Sequence, residues 1–90
     1  MSAPHKHHED VLKRLRRAAG HLERVISMIE KERPCAELAQ QLQAVHGAIG
    51  NAKNVLIRDH IEHCIDPATV RDVSKARAMV AELRAISKYL

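Results

Sequence analysis

Phenylalanine and tryptophan are missing altogether, and Tyr89 is the only aromatic residue in a chain of 90. That argues against any nucleic-acid surface built on base stacking, which needs aromatic platforms. It also leaves the core to Leu, Ile, Val, Met and Ala, a choice that buries little apolar area per residue and favours a core shared between copies of the chain. Cysteine is scarce too: Cys35 and Cys64 stand alone, too few for a disulfide scaffold. No apolar run approaches the ~18 residues of a membrane span, and no secretory h-region precedes the first helical pattern. The expectation is a cytoplasmic protein that does not enter membranes, in a reducing compartment where thiols serve as metal ligands or redox groups. Strand alternation, internal repeats and glycine-rich phosphate loops do not occur. Nor does a pair of short helices about a three-residue turn, which sets aside a helix-turn-helix reader of the major groove.

What remains is charge and helical periodicity. Lys and Arg number 15 against 11 Asp and Glu, a formal charge of +4 with seven histidines in reserve, a balance that suits a polyanion partner. Residues 1–8 read as a flexible leader carrying His5, His7 and His8, and residues 9–90 as a single helical domain. A first helix is expected from near His8 or Glu9 to near Glu30, with Leu12, Leu15, Ala19, Leu22, Ile26 and Ile29 as its apolar stripe. Lys13, Arg14, Arg16, Arg17 and Arg24 make its other side the densest cationic patch in the chain. Pro34 suits the opening turn of a second helix, where a missing N–H costs nothing. That helix runs without internal proline from Cys35 to Cys64, with apolar or small residues at 35, 38, 42, 45, 49, 52 and 56. Gly47 and Gly50 weaken it locally, which predicts close packing against a neighbour. Asp66-Pro67 reads as an N-cap and N1 pair for a third helix striped by Val70, Val73, Ala76, Val80 and Leu83. The fold class is all-α: three helices, the central one longest.

A helix of thirty residues extends about 45 Å, whereas a compact chain of this size has a radius of gyration of only about 12 Å. His60 and Cys64, at i and i+4, share one face near its end, and Cys35 sits at its start. One chain cannot bring its two thiols together, but an antiparallel partner can. A site made of Cys35, His60 and Cys64 would therefore lie between subunits. Two thiolates and an imidazole form a soft to borderline donor set that suits Cu(I), Ni(II), Co(II) or Zn(II). Three donors satisfy Cu(I), while nickel needs a fourth, which His5, His7 or a backbone nitrogen of the leader would supply. The competing reading makes Cys35 and Cys64 small buried hydrophobes and His60 a surface residue. His21 and His46 fall singly on helices and suit packing or surface roles. A Cys64–His60 nucleophile pair lacks an oxyanion loop and an orienting third group, so no enzyme is expected.

Leu12-Lys13-Arg14-Leu15-Arg16-Arg17 with Gly20, then Cys35, Ala39-Gln40-Gln41-Leu42, Ala44-Val45 and the His60-x-x-x-Cys64 ending together resemble the copper-sensitive operon and nickel/cobalt repressor family, CsoR/RcnR, over nearly the full length. The resemblance implies an antiparallel dimer paired into a flat homotetramer that binds double-stranded operator DNA and leaves it when an inducer binds. It places Cys35 of one subunit against His60 and Cys64 of another. It also puts DNA contacts on Arg14, with Lys13, Arg16 and Arg17 beside it; in mid-helix many relatives carry a basic residue where this chain departs with Asn51, and Lys53 would have to compensate. The histidine-rich leader and the Pro34 in place of a tyrosine put Ni(II) or Co(II) slightly ahead of Cu(I), with Zn(II) also compatible. Formaldehyde- and persulfide-responsive branches are the alternatives within the family; Ser2 and Cys64 depart from the first and His60 from the second. Outside it, a cytosolic metal buffer or delivery protein would use the same donors without touching DNA.

Overall fold

A computed structural model describes residues 8–64 and 71–90, apart from the side chains of His63 and Cys64. Three helices account for most of them: α1 over His8–Glu30, α2 over Cys35–Cys64 and α3 over Val73–Ser87. No strand occurs among the described residues, and the fold is all-α. No helix there is long and apolar enough to cross a membrane. The chain divides into two compact units, Met1–Lys53 and Asn54–Leu90.

Helix α1 starts where Glu9 and Asp10 place negative charge against its N-terminal dipole. It ends in a hydrogen-bonded reversal. Glu32 adopts a left-handed φ of 56°, its N–H donates to Ile29 O at 3.0 Å, and the Arg33 N–H donates to Met28 O at 3.1 Å. This 6→1 and 5→2 pairing is the Schellman arrangement, with Glu32 at the position glycine usually takes. Two residues later the Pro34 carbonyl accepts from Leu38 N–H at 3.1 Å, so Pro34 is the cap and Cys35 the first residue of α2.

The buried side chains of the first unit are Val11, Ala18 and Val25 from α1 with Val45 and Ala52 from α2. The expected α1 stripe is displaced by one residue. Leu12, Leu15, Leu22, Ile26 and Ile29 remain 39–51% exposed, because α1 carries two adjacent apolar rows and the slimmer one faces the chain's own core. Helix α2 divides its stripe in the same way: Val45 and Ala52 are buried, whereas Leu42, Ile49 and Leu56 stay 40–46% exposed. A Cβ added at Gly47 or Gly50 would meet nothing within 4 Å. Among the described residues of the chain, the close packing predicted from these glycines is therefore not found.

In the second unit Ile57 is buried. Helix α3 begins at Val73, where Asp72, in extended geometry, accepts from the backbone N–H of Ser74 and Lys75 at 3.0 and 3.3 Å. The Asp66-Pro67 cap and Val70 expected for this helix lie outside the described residues. Val73 and Val80 are exposed, while Ala76, Met79, Leu83 and Ile86 are half-buried.

Candidate metal centre and nucleic-acid interface

The left-handed turn at Glu32 and the cap at Pro34 set the Cys35 thiol on the first turn of α2, at the end of a helix that favours negative charge. There it is exposed and outside any disulfide, so within the protomer Cys35 is not the small buried hydrophobe of the competing reading. An Arg33–Glu37 pair at 3.0 Å spans the same turn. Both partners are solvated, and such i,i+4 pairs contribute only ~0–1 kcal/mol.

His60 lies within the last two turns of α2 with its side chain 20% exposed, and its Nε2 lies 3.1 Å from Glu82 Oε1 on α3. An imidazole that donates one ring N–H to a carboxylate has its tautomer and orientation fixed, the arrangement found behind most metal-ligating histidines. Nothing in the sequence marks Glu82 for this role, since the pair is 22 residues apart and follows no helical spacing. The Cys64 side chain and the leader residues His5 and His7 lie outside the described residues. Among the described residues, no three His, Cys, Asp or Glu side chains of the chain cluster as a metal site.

On α1, Lys13, Arg14, Arg16 and Arg17 are all exposed, as is Lys53 on α2. Arg14 Nε donates to both carboxylate oxygens of Asp10, each at 3.3 Å, which steadies the side chain while its terminal amino groups take no part in those bonds. Arg14 and Arg17 also line a groove of about 250 Å³ between α1 and α2, together with Ala18, His21, Arg24, Ala48 and Asn51. Lys13, Arg16 and Lys53 do not line it. His21, half-buried, is held by Gln41, with Nε2 2.6 Å from Oε1, while His46 is exposed. Sequence periodicity shows that Arg14, Arg17, His21 and Arg24 share a face of α1; it does not show that Asn51 of α2 lies across from them.

Residues 7–88 match the family described as metal-sensitive transcriptional repressor. The copper-sensing transcriptional repressor CsoR of Mycobacterium ulcerans is 33% identical over 72 residues, which cover 80% of this chain and 60% of that protein. CsoR of Bacillus subtilis is 32% identical over 63 residues, 70% of this chain and 62% of the relative. The copper-sensing transcriptional repressor RicR of Mycobacterium tuberculosis is 30% identical over 77 residues, 86% of this chain and 80% of the relative. The chain thus spans about three fifths of the length of the two CsoR proteins. No solved structure matches it.

Proposed function

The chain belongs to the metal-sensitive transcriptional repressor family, and from that premise we propose that it holds double-stranded operator DNA and releases it when a metal ion binds between its subunits. The observation that carries this reading is the pair of donors on α2: an exposed thiol at its first residue, and near its end an imidazole fixed by a carboxylate. Cys35 of one subunit and His60 with Cys64 of another would hold the ion. The metal, when bound, supplies soft Lewis-acid bonding that ties the two subunits together.

Copper comes first among the candidate ions. The expected lead of Ni(II) and Co(II) rested on the leader histidines and on Pro34 in place of a tyrosine, whereas the relatives are named for copper, and two thiolates with one imidazole satisfy Cu(I) without a fourth donor. Nothing in those names favours nickel, cobalt or zinc.

An antiparallel homodimer, paired again into a tetramer, supplies the second subunit. The half-exposed rows of Leu and Ile on α1 and α2 give it a self-complementary apolar surface. Lys13, Arg14, Arg16, Arg17 and Lys53 contact the DNA backbone. Regulation runs through the chain's own contacts: Glu82 joins His60 to α3, so any displacement of the imidazole is transmitted to that helix. A coupling of ~1.4 kcal/mol changes DNA affinity tenfold.

The test is fluorescence anisotropy with a duplex taken from upstream of the chain's own reading frame. Cu(I) should release the protein, and Cys35→Ser and His60→Ala variants should bind DNA yet resist release. The near-ultraviolet Cu(I)–thiolate absorption should fall in the serine variant. Release of Cys35→Ser at the same Cu(I) concentration as the parent would overturn the site. Absence of DNA binding with intact Cu(I) absorption would leave a metal buffer.

A further inference from the structure

The groove between α1 and α2 is lined by three guanidinium groups and an imidazole, with no carboxylate among the lining residues. Arg14, Arg17, His21 and Arg24 recur at three- and four-residue intervals on α1, and like charges so spaced destabilise a helix. Neither Arg17 nor Arg24 has an acidic partner among the ion pairs of the described residues. The floor is made of alanines, Ala18 and Ala48, whose methyl groups leave the space open. At about 250 Å³ it matches roughly eight waters of ~30 Å³ each, room for a phosphate group with part of its hydration.

From Arg17 to Arg24 the helix rises about 10 Å, with His21 near the midpoint, and each arginine side chain is long enough to reach the middle of such a span. His21 is fixed by its 2.6 Å bond to Gln41, and Asn51 contributes a neutral amide from α2. Resting on the DNA-binding reading above, we infer that Arg17 and Arg24, with Asn51 opposite and His21 as the wall between them, close around a single backbone phosphate of duplex DNA. Arg24 thereby becomes a DNA contact, His21 a positioning residue, and Arg17 a partner in a shared contact. The forked guanidinium suits the task because it presents paired donors to phosphate oxygens.

The shared phosphate has a numerical signature. Each phosphate neutralised contributes about 0.9 to the slope of log affinity against log salt. Binding of the full chain to a short fluorescent duplex of mixed sequence is measured across a salt series for the parent, Arg17→Ala, Arg24→Ala and the double variant, with helicity checked by circular dichroism. Each single variant should weaken binding several-fold yet keep most of the slope, because the remaining guanidinium still holds the shared phosphate, and the double variant should lower it by about 0.9 for each DNA-contacting protomer. Arg24→Lys, which keeps the charge but loses the fork, should keep the slope and still weaken binding. Arg33→Ala, an exposed control outside the groove, should leave the slope at the parent value. A double-variant slope equal to the parent's, or single-variant losses that each reach half of the double variant's, as two separate phosphates would give, overturns the shared phosphate while leaving DNA binding intact. A parent chain that fails to bind, or binds with no salt dependence, overturns the DNA-binding reading itself.

Discussion

Replacing Leu22 and Ile26 together by alanine should dissolve the proposed dimer without unfolding the protomer. Both side chains are already 39% and 42% exposed in the isolated chain, so each has a little under half of its area still to bury against a partner. Full burial of a large aliphatic side chain stabilises by about 1.5–3 kcal/mol, which leaves roughly 0.6–1.2 kcal/mol per position for the interface. A two-fold interface counts every position twice. The double variant therefore removes four such contributions, about 2.5–5 kcal/mol, and raises the dimer dissociation constant from roughly a hundredfold to several thousandfold. Sedimentation velocity across a dilution series reads this directly, with far-ultraviolet circular dichroism reporting whether α1 survives. On the proposed reading Cu(I) affinity should fall in parallel, because a site assembled from two chains would disappear with the second chain. A dissociation constant equal to the parent's would refute the assignment of this row to the interface.

Replacing Glu82 by Gln keeps the size of the side chain but removes the negative charge from the His60 Nε2 bond, and should cost about 10–100-fold in Cu(I) affinity, the usual effect of losing the group behind a ligating histidine. Competition with a chromophoric Cu(I) chelator measures it, and an unchanged affinity would separate Glu82 from the metal site. Glu32→Gly should stabilise the chain by about 0.5–1 kcal/mol, because a left-handed conformation costs an L-residue about 1–2 kcal/mol and glycine's extra unfolded-state freedom returns part of that. Urea unfolding at fixed protomer concentration is the assay; a loss of stability would mean the Glu32 side chain makes a contribution larger than its backbone strain.

The three helices were legible because Leu, Ile, Val and Ala recur at helical intervals over long stretches, and because Pro34 and the charged turn before it interrupt that pattern. Which row faces inward was not legible. Val11, Ala18 and Val25 lie one position before an equally regular row of larger residues, and periodicity cannot rank two rows offset by a single residue. The protomer takes the slimmer row, since small residues let α1 and α2 approach closely, and it leaves the bulkier one half-exposed. Cys35 and His60 could be singled out from residue type and position at the two ends of one helix. Glu82 and Gln41 could not. Each meets its histidine about twenty residues away in sequence, and such pairings depend on how helices come together rather than on any local pattern.

The alanine floor at residues 18 and 48 makes this surface open to control by bulk alone. Leucine substituted at Ala48 would plug the trough from below while leaving every formal charge in place, so weakened operator binding in that variant could not be attributed to altered electrostatics. The same feature offers protein engineers a dial: side chains graded in volume at one position, from serine to methionine, would set the strength of the proposed DNA binding in steps while the proposed metal ligands stay untouched.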